Sequence, residues 1–79
     1  MKYRVLYFAS LRDAAGADSE QVDSAHADAR CLYEELRVRH GFTIPAERLR
    51  VAVNGEFAAW DCRLADGDEV VFLPPVSGG

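Results

Sequence analysis

The chain has 79 residues, of which 49% are hydrophobic, and its 13 acidic side chains outnumber 9 basic ones for a formal net charge of −4. That length allows one small domain and no second. Twelve of the hydrophobic residues are alanine, so the core is modest, on the order of 3–5 kcal/mol unaided, and chemistry is expected at an edge, a loop or an end rather than in a roomy enclosed site. Eight of the nine bases are arginine and none form a run, which argues against a nucleic-acid binder built on phosphate neutralisation.

Lys2 to Phe8 mixes valine, leucine and aromatics. After Arg4 both alternating sets are apolar, the pattern of a central strand covered on both faces. Ser10 is placed to cap one helical turn, Leu11 to Ala15, that Gly16 ends. Asp18 to Ala25 is polar apart from Val22 and reads as a weak edge strand or loop. Asp28 then caps the main helix, in which Ala29, Leu32, Tyr33 and Leu36 recur at three- and four-residue steps and form one apolar stripe. Gly41 ends this helix, with Arg37, Arg39 and His40 near the negative end of its dipole.

Phe42 to Arg48 is a connector, since Pro45 disfavours helix at Ile44. Leu49, Val51 and Val53 alternate with Arg50 and Ala52 and run into Asn54-Gly55, the pair that tolerates the positive φ angles of a two-residue hairpin turn. A short strand, Glu56 to Ala58, follows. Asp66-Gly67 marks another turn before Glu69 to Leu73, where Val70 and Phe72 face one way and Val71 and Leu73 the other. The order is strand, weak strand, helix, strand, short strand, strand. It implies an α+β fold, a small mixed sheet with one main helix on one face and its first and last strands adjacent, the β-grasp arrangement of ubiquitin-like proteins.

Cys31 and Cys62 have no CxxC and no histidine at ligand spacing, so neither a zinc site nor a redox motif is expected. They read as buried thiols in a reducing compartment. His26 reads as a half-buried structural histidine, Trp60 as core and Asn54 as turn chemistry. The start MKYRVLYFAS is too short in apolar residues for a secretory signal, and no stretch approaches a membrane span of ~20 residues; the expectation is a cytoplasmic protein that binds neither membrane nor nucleic acid. Five acids between Glu56 and Glu69 face Arg63 alone, either a solvated acidic face or a complement to a basic partner.

Residues 1–73 are thus read as the domain and residues 74–79 as an extended tail. Tandem Pro74-Pro75 supplies no ladder donor and fixes φ near −65°, so the sheet stops there. Gly78 and Gly79 lack a Cβ, which lets a terminal carboxylate enter a narrow channel. A free α-carboxylate, with a pKa of roughly 3.3–3.7, is an anion and a poor electrophile at neutral pH. Adenylation supplies a leaving group, and a sulfur nucleophile can then replace the nucleotide to leave a thiocarboxylate.

Val5-Leu6-Tyr7-Phe8-Ala9 with Leu11-Arg12, Val53-Asn54, Asp66-Gly67-Asp68-Glu69-Val70 and the ending Pro74-Pro75-Val76-Ser77-Gly78-Gly79 together resemble the small, sulfur-carrying subunits of molybdopterin synthases. The resemblance covers nearly the whole chain, and the ending is its most specific part. It implies that Gly79 becomes an acyl adenylate on an E1-like, ATP-using activating enzyme, then a thiocarboxylate. That group would donate sulfur to a cyclic pyranopterin monophosphate held by a large subunit, in a heterotetramer of two small and two large chains. On this reading Pro74, Pro75, Val76, Ser77 and Gly78 form the inserting arm, Phe8, Phe57 and Leu73 meet the partner, and the chain itself holds no cofactor or metal. For those three side chains the alternative is ordinary core packing. A thiamine-pathway sulfur carrier, a ubiquitin-like protein modifier and a passive binding module are the competing readings.

Overall fold

A computed structural model describes residues 1–75, in the order β1 (Lys2–Tyr7), α1 (Ala9–Ala15), β2 (Ser19–Asp23), α2 (Ala29–His40), a 3-10 turn (Ala46–Arg48), β3 (Arg50–Val53), β4 (Glu56–Ala58) and β5 (Glu69–Leu73). The strands form one sheet of order β2-β1-β5-β3-β4. β1 runs parallel to β5 and antiparallel to β2, while β3 runs antiparallel to both β4 and β5. First and last strands are therefore central neighbours, and the fold is the β-grasp expected from the order of elements. No helix among the described residues is long and apolar enough to cross a membrane.

One face of the sheet supplies Tyr3, Val5, Tyr7, Val51, Val70 and Phe72, all buried, and α2 answers with Ala29, Leu32, Tyr33 and Leu36. The spacing of those four helical residues is the stripe read from the sequence, and it is what lets α2 bury a single side. Phe72 lies at the centre, its ring stacked on Trp60 at 5.9 Å and tilted against Tyr33 at 5.1 Å. Trp60 thus packs on the core while remaining partly exposed. α2 starts where Asp28 Oδ1 accepts the Cys31 N–H at 2.7 Å and stops where Gly41 turns left-handed at φ 73°.

Three expectations need correction. Ser10 is not a cap: α1 begins at Ala9, where φ is 51°, the capping position belongs to Phe8, and no side chain bonds there. The chain has already entered its first turn before the serine. β1 is central but covered on one face only, because the helices leave the other face of the sheet open to solvent at Arg4 and Phe8 and only partly shielded at Leu6. Cys31 is exposed and Cys62 partly so; on α2, Cys31 falls off the stripe that Ala29, Leu32, Tyr33 and Leu36 define. His26 is half-buried as expected, its side chain 49% exposed and its Nε2 3.7 Å from Glu35.

Candidate functional site

β5 carries the tail, and the structure shows how firmly its start is held. Lys2 N–H donates to Asp66 Oδ1 at 2.6 Å, and Gly67 N–H donates to the Lys2 carbonyl at 2.7 Å. Asp68 accepts twice, from Ala65 N–H at 2.8 Å and from Asn54 Nδ2 at 2.9 Å, while Asn54 Oδ1 accepts from Glu69 N–H at 3.0 Å. Asn54 can reach because it sits in the hairpin turn between β3 and β4 at φ 52°, followed by Gly55 at φ 87°. Both angles are positive, as a two-residue turn of this kind demands. The Asp66-Gly67-Asp68-Glu69 run is thus bolted to the β3–β4 turn and to the start of β1, so two of its acids serve the fold.

At its other end β5 leads out of the sheet. Tyr7 and Phe72 form the last registered pair of β1 with β5, and Leu73 lies opposite Arg50 on β3. Leu73 and Pro74 are partly buried and Pro75 is exposed. Val76, Ser77, Gly78 and Gly79, the remaining residues of the proposed arm, lie outside the described residues.

The open face beside this exit is apolar. Across the four strands β1, β5, β3 and β4 the register sets Leu6 against Val71, Val71 against Ala52 and Ala52 against Phe57. One step towards the tail, Phe8 and Leu73 extend the patch; Phe8 is 45% and Phe57 65% exposed, the values of surface side chains and not of core. Phe8, Leu6 and Arg4 line one shallow depression. Phe8, Phe57 and Leu73 therefore share a face, with Leu73 next to Phe8 and Phe57 two strands, or about 10 Å, away. Sequence reasoning missed Leu6, Ala52, Val71 and the arginines around them. Strand alternation marks these as the face opposite Val5, Val51 and Val70, but only the absence of a covering element leaves them available.

Elsewhere the chemistry is quiet. Asp28 holds the Cys31 thiol above its ordinary range through hydrogen bonding and charge, and burial beside Asp61 raises that of Cys62, so neither is an activated nucleophile. Burial, with Glu20 nearby, pushes the Tyr7 hydroxyl up, and burial pushes that of Tyr33 up to about 12. Among the described residues no group of three or more His, Cys, Asp or Glu side chains is placed to hold a metal ion.

The chain is 34% identical over 79 residues to the molybdopterin synthase sulfur carrier subunit of Escherichia coli, covering 96% of this chain and 98% of that one. Its fold matches a putative molybdopterin converting factor subunit 1 from Pyrococcus furiosus with a TM-score of 0.80 at 37% identity, over 96% of this chain and 99% of the other. It also matches the small archaeal modifier protein 1 of Haloferax volcanii, with a TM-score of 0.79 at 28% identity over 95% and 98% of the two chains. Residues 5–79, from within β1 through the Gly-Gly ending, match the ThiS family, and the chain belongs to that family.

Proposed function

We propose that the chain is the sulfur carrier of molybdopterin synthesis. The observation that carries this is likeness over 96% of the chain to a relative named for that role, together with a family match that runs to Gly79. The α-carboxylate of Gly79 attacks the α-phosphate of ATP on an E1-like activating enzyme, releasing pyrophosphate and giving an acyl adenylate. A sulfur donor then displaces AMP to leave a thiocarboxylate. The arm from Pro74 to Gly78 delivers that group to cyclic pyranopterin monophosphate in the large subunit of a heterotetramer, two small chains with two large. Phe8, Phe57 and Leu73 meet the large subunit beside the arm. ATP belongs to the activating enzyme.

What supports the division of labour is the domain itself. A rigid sheet with a tail at the exit of its central strand and an apolar face beside that exit can present a carboxylate deep in another protein. Intact mass of the chain after incubation with the activating enzyme, ATP and a sulfur source tests the reading: one oxygen at Gly79 is replaced by sulfur. Removing Gly79 abolishes transfer and leaves the thermal melt unchanged. An unmodified mass, with the enzyme shown to act on another carrier, overturns it.

The match to a protein named as a modifier supports a second reading, in which an amine of a target protein attacks the same acyl adenylate. Conjugates in cell extract that vanish with Gly79 are its signature.

A further inference from the structure

All four arginines on the α-helices are ion-paired: Arg12 lies 3.7 Å from Asp18, Arg30 2.7 Å from Glu47, Arg37 2.9 Å from Glu34 and Arg39 3.0 Å from Glu35. None of the four arginines outside the α-helices, Arg4, Arg48, Arg50 and Arg63, has an ion pair among the described residues, and Arg4 and Arg50 are the two of them that lie on sheet strands. Both sit on the open face of the sheet, and both are exposed. Glu69, across the register from Arg4, does not come within pairing distance. The Arg50 guanidinium instead lies 4.8 Å over the ring of Phe57.

Scarcity of acids does not explain this, because the chain has four more acids than bases. The two guanidiniums stand at opposite corners of the apolar patch. Arg4 lies two residues before Leu6 on β1, and Arg50 lies opposite Leu73 where the tail leaves. With about 4.8 Å between strands and 3.3 Å per residue, their Cα atoms are about 16 Å apart. A guanidinium lying on an aromatic ring beside a partly buried leucine is costly to cover with a purely apolar surface, because covering strips its water without replacing it. Covered by a surface that presents a carboxylate, it gains a bidentate, charge-assisted partner.

We infer that the open face of the sheet docks on a large-subunit surface that sets carboxylates against Arg50 and Arg4, and that these two cations select that partner while the apolar residues between them supply contact area. This rests on the sulfur-carrier reading above and goes further, by stating the charge the partner must present. Attraction between exposed charges is screened by salt, whereas apolar contact is not. The partner choice is therefore salt-sensitive.

The test is calorimetric titration of the full chain into the large subunit of the same cell, at low and high salt, for wild type, Arg50→Glu, Arg50→Leu, Arg4→Glu and the helix-side control Arg37→Glu. At low salt Arg50→Glu binds at least about tenfold more weakly, near 1.4 kcal/mol, with an unchanged thermal melt; Arg4→Glu weakens binding in the same direction. Arg50→Leu keeps the apolar contact and loses part of the salt dependence, and Arg37→Glu binds as wild type. Wild-type binding that both glutamate variants leave intact overturns this inference and spares the sulfur-carrier reading. So does weakening towards the activating enzyme or towards a second copy of the chain but not towards the large subunit. A wild-type chain that does not bind the large subunit at all overturns both.

Discussion

Asp68→Ala cuts the bolt that ties β5 to the β3–β4 turn. The variant loses two hydrogen bonds to one carboxylate, from Ala65 N–H at 2.8 Å and Asn54 Nδ2 at 2.9 Å. Bonds to a charged group contribute roughly 1.5–3 kcal/mol each when shielded, but these are exposed and water replaces part of what is lost. The expected cost is about 1–2 kcal/mol. At this size each kcal/mol shifts Tm by roughly 4–8 °C, so the melt falls by about 5–15 °C, a large share of a core worth on the order of 3–5 kcal/mol. Urea unfolding followed by Trp60 fluorescence reads the same loss as a lower midpoint at unchanged slope. Asn54→Gly keeps the positive φ of the turn and removes the amide, so the double variant with Asp68→Ala isolates their coupling, expected at about 0.5 kcal/mol or more. A midpoint within error of wild type, or strictly additive single effects, refutes the claim that the Asp66–Glu69 run is a structural clasp.

Asp28→Ala removes the cap of α2 at a cost of about 1 kcal/mol. Hydrogen bonding from Cys31 N–H holds the Asp28 carboxyl below its ordinary 3.8, so its stabilisation is present above that value and fades as pH falls through the lower folded value; urea midpoints at neutral and acid pH converge between wild type and variant. Asp28→Asn also frees the Cys31 thiol from the group that raises it, and its reaction with a thiol reagent at mildly alkaline pH quickens; equal rates count against the assignment. Phe57→Ser leaves the melt within about 0.5 kcal/mol because the ring is on the surface, whereas Phe72→Ala, fully buried, costs about 3–5 kcal/mol and leaves little folded protein, as far-UV circular dichroism at rising temperature will register.

Period and punctuation made most of the fold legible. The stripe of α2, its cap at Asp28, the stop at Gly41 and the Asn54-Gly55 turn each follow from local chemistry that the tertiary fold leaves intact. What local pattern could not decide was cover. Leu6 on β1 and Phe8 just beyond it, and Val71 and Leu73 on β5, are as apolar as the residues between them, so alternation alone allows a second layer over that face. Among the described residues there is only one long amphipathic helix, α2, and it is already committed to Tyr3, Val5, Tyr7, Val51, Val70 and Phe72. Cys31 is exposed rather than buried for the related reason that a cysteine one position off the stripe is as apolar as one on it. The acidic stretch was ambiguous because hydrogen-bond partners as distant as Lys2 and Asn54 leave no mark in the run itself.

The position of β5 in the sheet connects these observations. It is the central strand, paired with β1 in parallel and with β3 antiparallel. Load applied to a tail leaving such a strand is shared by two ladders, while a tail leaving the edge strands β2 or β4 would peel one. The same centrality explains the patch. The strand that carries the tail also carries Val71 and Leu73, so the surface proposed to meet a partner and the segment proposed to enter it are one continuous piece of chain, with no hinge among the described residues between them. Pro74 and Pro75 then end the ladder without adding freedom, since each ring fixes its own φ. On the proposed function, a carboxylate delivered this way is positioned by the docked face of the sheet. Weakening the face therefore costs delivery even where the tail is intact, and the two are separable: variants at Phe57 or Arg50 lower affinity for the partner, whereas loss of Gly79 preserves affinity for the face and removes the reacting group.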